Sequence, residues 1–206
     1  MLLIFGNEIS LEMHGTVLRL TPLVRNLAAV VNVHPAYASL LIDFDPFRTS
    51  HAQLEREVSE LYQQAAAGPL PPPRTVEIPV CYGGEYGPDL DDVASLTGRS
   101  PAEVVAIHSS ADYLVCFLGF SPGFPYLSGM PESIAAARLP TPRNRVPAGS
   151  VAIGGRQTGV YPLASPGGWR IVGRTPLRLF QPSADPPVLL GMGDHVKFVP
   201  ISKDAF

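Results

Sequence analysis

The sequence predicts an α+β fold in two parts, a small βαββα unit followed by a many-stranded β-barrel or sandwich. Three observations carry this. Helical and alternating apolar periodicities succeed one another over the first third of the chain. A proline run, GPLPPP at Gly68–Pro73, then interrupts them. After Leu114 only short apolar runs remain, separated by Gly/Pro turns.

The elements follow in order. Leu2–Phe5 is a short apolar run closed by Gly6-Asn7, a strand and a turn. Ser10 stands at the N-cap of a helix whose Val17, Leu20, Val24 and Leu27 recur at helical spacing, with Pro22 as a point for a kink. Val30–Val33 and Ser39–Phe44 read as strands around His34-Pro35. In the second, Leu40, Ile42 and Phe44 alternate with Leu41, Asp43 and Asp45. Ser50-His51-Ala52-Gln53 has capping-box spacing and opens a helix with Leu54, Val58, Leu61, Tyr62 and Ala65 on one face. Gly68–Pro73 cannot join a sheet interior and reads as a stiff linker, so the boundary falls between residues 1–74 and 75–206.

In the second part, Val76, Ile78 and Val80 alternate as a strand. Asp89–Leu96 is a short helix ended by Gly98. Ser100-Pro101-Ala102-Glu103 combines an N-cap serine, a proline at the first helical position and a glutamate at the third. Leu114–Phe120 is a buried strand. Ser150–Ile153, Val160–Tyr161, Trp169–Val172, Leu177–Phe180 and Val196–Ile201 complete the series.

Composition narrows the function. The 206 residues are 46% hydrophobic and 16% charged, which is globular rather than disordered. A net charge of −3 without a basic run argues against nucleic acid. Cys81 and Cys116 lack C-x-x-C spacing and read as reduced core thiols. MLLIFGNEIS has no basic start and meets Glu8 early, so it is not read as a signal peptide. No run is long enough to span a bilayer, and the expectation is a cytoplasmic protein with no membrane partner. No phosphate loop, dinucleotide fingerprint or nucleophile elbow is present, and no Cys/His cluster suggests a metal.

Three segments carry possible chemistry. Gly119–Leu127, GFSPGFPYL, presents Phe120, Phe124 and Tyr126 from a loop stiffened by Pro122 and Pro125. It is either a barrel corner plugged by aromatics or an aromatic-walled pocket for a small ring or a purine. Pro140–Pro147 places Arg143 and Arg145 two apart on an extended segment. They are either solvated arginines or a same-face pair for carboxylate or phosphate. Gly154–Pro162 and Ser165–Trp169 form glycine-flanked turns that can hold an anion, with Gln157, Ser165 and Trp169 beside them. A turn-rich hairpin with a core tryptophan explains the same residues. His108 ends a helix, where a lone histidine is more often a capping or core residue than a base.

Taken together, GFSPGFPYLSGMP, LPTPRNRVPAGSVAIGG, QTGVYPLASPGGW and IVGRTPLRLF resemble the KipI-like/allophanate hydrolase subunit 1 family, also known as the B-type subunit of 5-oxoprolinase. VNVHPAYASLLIDFDP is similar to the first domain of that family. With the reading above, this gives a βαββα ferredoxin-like N-terminal domain followed by a cyclophilin-like β-barrel domain. The resemblance further implies a larger KipA/allophanate hydrolase subunit 2 companion and, in the 5-oxoprolinase setting, a third protein. The implied reaction is an ATP-dependent amide or lactam hydrolysis, with Mg2+, either the opening of 5-oxoproline to glutamate or an allophanate-hydrolase-like cleavage. No tightly bound cofactor is expected.

In that reading His108 is the candidate base, and Gln157 stabilises negative charge on oxygen with the glycine-rich backbone. Arg145, ranked above Arg143, holds carboxylate or phosphate. Tyr126, Ser165, Gly167, Gly168 and Trp169 complete the binding set. The competing reading is a Kip-type regulator that inhibits a sensor histidine kinase. A prolyl isomerase rests on fold analogy alone and is set aside.

Overall fold

The computed structural model describes residues 1–7, 10–66, 68–70 and 72–206. The chain divides into two compact units, Met1–Pro72 and Pro73–Phe206. Residue 71, within the expected linker, lies outside the described residues.

The first unit has the order β1 (Leu2–Ile4), α1 (Leu11–Arg25), β2 (Val30–Pro35), β3 (Ser39–Phe44) and α2 (His51–Ala66). Its sheet runs β1-β3-β2, antiparallel throughout, so β3 is central. Leu40 and Ile42 are inside with Val33, and Leu41 faces out beside an Asp43–His34 pair at 2.8 Å. Val17, Leu20 and Val24 of α1 and Leu54 and Val58 of α2 supply the rest of this core. The βαββα order is therefore as expected. A ferredoxin-like unit adds a fourth strand after the second helix, and among the described residues this sheet has three.

Local signals fare unequally. The Ser100 capping box is complete: Ser100 Oγ accepts from the Glu103 N–H, and the Ser100 N–H donates to the Glu103 carboxylate at 2.7 Å. The Ser50 box is half formed. Ser50 Oγ accepts from the Gln53 N–H, but the Gln53 amide turns along the helix to Glu57. Ser10 is extended at the N-cap of α1 without a side-chain cap, and Pro22 lies inside a helix that runs on to Arg25.

The second unit is a closed seven-stranded barrel with two helices packed on it. Its elements are β4 (Thr75–Tyr82), α3 (Leu90–Thr97), α4 (Pro101–Ser110), β5 (Tyr113–Leu118), β6 (Pro125–Ser128), β7 (Arg143–Val146), β8 (Ser150–Gly154), β9 (Gln157–Val160), β10 (Ser165–Gly167), β11 (Arg170–Arg174) and β12 (His195–Pro200). The barrel order is β11-β4-β12-β5-β6-β9-β8, with β11 and β8 closing the ring, while β7 and β10 form a separate ribbon. Ile78, Val80, Val115, Val151, Ile153 and Val172 fill the interior, and Val93 and Val104 cap it from the helices. Cys81 and Cys116 are free and buried.

Three segments differ from expectation, the first being Pro125–Ser128, read within the aromatic loop and found as β6. Leu177–Phe180 makes only a bridge, Phe180 to Val188, because Pro176 and Pro182 remove ladder donors on both sides. The β10 segment, Ser-Pro-Gly, is a strand despite its composition, since in a two-stranded ribbon Pro166 has an edge to occupy.

Candidate functional site

β5 ends at Leu118, and the chain turns through Gly119–Phe124 before re-entering the barrel as β6. This loop closes on itself, with the Gly119 N–H donating to the Phe124 carbonyl at 3.1 Å and the Phe124 N–H to the Ser121 carbonyl at 3.0 Å. Phe124 is thereby held inward, edge-on to Tyr161 at 5.2 Å and to Trp169 at 5.6 Å between ring centroids. Tyr126, first residue after Pro125 on β6, stacks on Phe117 at 4.5 Å.

These rings wall a cavity of about 310 Å³. Phe120, Phe124, Tyr126, Tyr161 and Trp169 line it, and Gly167 and Gly168 give it a backbone edge. Trp169 is 7% exposed. Gly167 packs so close to Tyr161 that a Cβ would come within 2.4 Å of the phenol oxygen, so that edge cannot carry a side chain without moving the ring. Among the described residues, the one cation on the lining is Arg138, exposed, with its guanidinium 5.7 Å from the Trp169 ring centroid. The Tyr161 hydroxyl has its pKa raised, chiefly by burial, against the opposing pull of a Trp169 backbone hydrogen bond and the Arg138 charge. It stays protonated at neutral pH and is a donor.

Of the expected binding residues, Tyr126, Gly167, Gly168 and Trp169 come together on this lining. Ser165 is two residues away, its Oγ buried without a hydrogen-bond partner. Four others are elsewhere. Arg143 is engaged by the protein itself: its Nη2 donates to Asp89 Oδ1 at 2.6 Å, while Asp89 Oδ2 accepts from the Ile171 N–H at 2.7 Å. Arg145 is exposed on β7 and outside the cavity, so the two arginines do not form the expected pair. Gln157 starts β9 opposite Gly154 at a hairpin turn and is also outside the lining.

His108 is corrected most sharply, because it is a core residue. It is 0% exposed and stacks on Phe198 at 4.6 Å. Thr158 Oγ1 donates its only proton to the Ala152 carbonyl, so it accepts from His108 Nε2–H at 2.9 Å. Nδ1 therefore accepts from the Tyr82 hydroxyl at 2.8 Å. Both ring nitrogens are used and burial lowers the pKa to about 3, so the ring is neutral and has no access to a substrate.

Sequence reading misses Arg138. Its signal, an arginine five residues before Arg143 and just ahead of the LPTPRNRVP block, carries no periodicity. Its place depends on the Leu139 N–H bonding the Gly168 carbonyl at 2.7 Å, a contact between distant segments.

The resemblance implies ATP with Mg2+. A triphosphate calls for several cationic or amide donors, and its metal for carboxylates. The cavity offers one guanidinium, and among the described residues no group of three His, Cys, Asp or Glu is placed to hold a metal. These residues do not fit the nucleotide. Also among the described residues, no helix is long and apolar enough to cross a membrane.

Comparison with known proteins agrees with this architecture. Residues 1–190 match the family described as carboxyltransferase domain, subdomain C and D. The B-type subunit of 5-oxoprolinase from Bacillus subtilis (strain 168) is 43% identical over 215 residues, covering 98% of this chain and 90% of that protein. The crystal structure of a conserved uncharacterized protein, PH0987 from Pyrococcus horikoshii, is 46% identical with a TM-score of 0.63, covering 99% of this chain and 94% of that one. The crystal structure of TTHA0988 is 39% identical with a TM-score of 0.87, and this chain spans 98% of its own length but 40% of that chain. A match over most of the chain, at this identity, leaves one conclusion: the chain belongs to the family of B-type 5-oxoprolinase subunits, within the carboxyltransferase subdomain C and D group.

Proposed function

We propose that this chain is one subunit of a heteromeric, ATP-dependent amide or lactam hydrolase in the cytoplasm, that its barrel is of the cyclophilin-like kind, and that its cavity takes 5-oxoproline. The observation that carries the reading is a cavity of about 310 Å³ with five aromatic walls and a single guanidinium at its mouth. A ligand that suits it has an apolar ring body and one anionic group. 5-Oxoproline has both. Allophanate carries no C–H group and leaves the aromatic walls unmatched.

In the reaction, water adds across the lactam C–N bond. The carbonyl carbon gains the water oxygen, the ring nitrogen leaves with a proton, and glutamate results. This chain's residues bind and orient. Arg138 pairs with the carboxylate, Trp169 and Phe124 hold the ring, and the Tyr161 hydroxyl donates toward the lactam oxygen. The cavity lining carries no base, so ATP-dependent activation and the hydrolytic base belong to the larger KipA/allophanate hydrolase subunit 2 companion and, where present, the third protein.

Trp169 is the only tryptophan and reports occupancy directly. Its fluorescence is titrated with 5-oxoproline, 2-pyrrolidinone and allophanate, and the reconstituted complex is assayed for 5-oxoproline-dependent ATP hydrolysis. Saturable quenching by 5-oxoproline, much weaker for 2-pyrrolidinone, is expected. No response to 5-oxoproline, together with an active complex, moves the substrate site to the companion. A stable lone chain that binds a histidine kinase dimerisation domain and no small amide favours the regulator.

A further inference from the structure

Phe120 is the only non-glycine residue with positive φ among the described residues, at +64°. The Ser121 N–H donates to the Gly119 carbonyl at 2.7 Å, which closes a three-residue turn around it. A γ-turn with positive φ at its centre is the rare, strained hand, and a bulky side chain there has no intrinsic reason to adopt it. Phe120 adopts it while 64% exposed, so core packing does not compel the conformation. Backbone strain of this kind persists only where the surroundings hold it, here the hydrogen bonds of the Gly119–Phe124 loop, and it clusters at ligand clamps and switch segments.

The ring stands between two hollows. On one side it leans on Phe124 at 5.5 Å and Tyr161 at 6.4 Å, over the mouth of the Trp169 cavity. On the other lies a separate depression of about 440 Å³ lined by Leu118, Pro122, Gly123 and Val188, with Phe120 on its rim. Ser121 Oγ, from a residue that also lines that depression, is buried without a partner. The Phe124-to-Ser121 bond lies outside Phe120 φ, whereas the Gly119-to-Phe124 bond spans it, so a change of hand at Phe120 calls for a compensating rotation that the neighbouring Gly119 can supply.

We infer that Phe120 is a two-position lid for the Trp169 cavity. With φ positive the ring covers the mouth. With φ negative the turn relaxes and the ring moves into the Leu118/Val188 depression, opening the cavity. A ligand adds contacts only to the covering position, so occupancy holds the strained turn. That last step rests on the ligand reading proposed above; the covering itself does not.

The test uses the full chain and acrylamide as a probe of Trp169. Phe120→Ala raises the acrylamide quenching constant severalfold, and saturating 5-oxoproline lowers it in the wild type. Stopped-flow fluorescence gives a 5-oxoproline dissociation rate about tenfold faster in Phe120→Ala, the loss of roughly one ring contact, with association little changed. Phe120→Gly melts above Phe120→Ala, because glycine takes positive φ without steric cost. An unchanged quenching constant in Phe120→Ala, or Phe120→Gly melting below Phe120→Ala, overturns the lid. If the wild type ignores 5-oxoproline while Phe120→Ala opens Trp169 to acrylamide, the lid stands and the ligand assignment falls.

Discussion

Gly154 lies flat beneath the Trp169 indole: a Cβ at Gly154 would come within 2.6 Å of three ring atoms. The last residue of β8 thus sets the position of this cavity wall. Gly154→Ala forces the indole to tilt at a cost of about 1–3 kcal/mol, the usual range for overpacking a core. Thermal melting reads the cost, and a shifted Trp169 emission maximum with weakened 5-oxoproline quenching reads the tilt. An unchanged spectrum removes Trp169 from the lining.

Arg138 is exposed and makes its ring contact only with Trp169, so Arg138→Ala leaves the melting temperature within a degree or two. Binding of 5-oxoproline weakens roughly ten- to hundredfold, the weight of one hydrogen bond to a charged group. Arg138→Lys recovers little, since an ammonium does not reproduce the two-bond fork. Binding of 2-pyrrolidinone is unaffected in both variants, which separates loss of the anion contact from loss of the pocket.

Asp89 and Arg143 behave as structure. Asp89→Ala leaves the Arg143 guanidinium and the Ile171 N–H without their acceptor and destabilises the chain by about 3 kcal/mol. Urea denaturation measures it. Arg145→Ala, at an exposed position, changes stability by less than about 0.5 kcal/mol and leaves binding intact. Loss of activity in a stable Arg145→Ala complex returns the anion site to β7.

His108 predicts a pH dependence of folding, not of catalysis. Its folded pKa lies near 3, below the ordinary value of 6.5. Between those values the unfolded chain takes up a proton that the folded chain refuses. Stability is therefore full above about pH 6.5 and falls as pH drops toward 3, by up to about 1.4 kcal/mol per unit. His108→Gln, measured beside the wild type by urea unfolding at pH 7.5, 6.5 and 5.5, lacks this slope. Equal slopes in the two proteins mean the ring is solvated.

The split into two units predicts that limited proteolysis cuts first within residues 67–74 and yields a resistant fragment beginning near Arg74. First cleavage inside the barrel instead places the weakest segment there.

What was legible in the sequence follows the range of the interactions. The Ser100 box and the alternation of Leu40 and Ile42 are local patterns, and both are realised. The aromatic loop and the Ser165–Trp169 turn announced the pocket because several of its walls sit in two short blocks. The arginine pair was misread because the segment was considered along one strand alone. Asp89, more than fifty residues before Arg143, claims that arginine, and nothing in the PTPRNRVP segment records it. His108 failed as a base for a related reason, since Tyr82 on β4 and Thr158 on β9 occupy its two nitrogens. Strand recognition erred where proline stood, reading a strand at Leu177–Phe180 and none at Pro125–Ser128 or Ser165–Gly167.

β12 lies between β4 and β5, parallel to the one and antiparallel to the other. The last strand of the barrel therefore fills a slot whose two sides are made far earlier. During synthesis β4 and β5 wait with unpaired edges until β12 leaves the ribosome, a delay of roughly 4–15 s at ordinary elongation rates. Loop closure over that separation also makes the finished ring slow to form. In that interval the nascent chain offers two open strand edges to any neighbour, which is where it is most vulnerable to aggregation and where a chaperone acts with most effect.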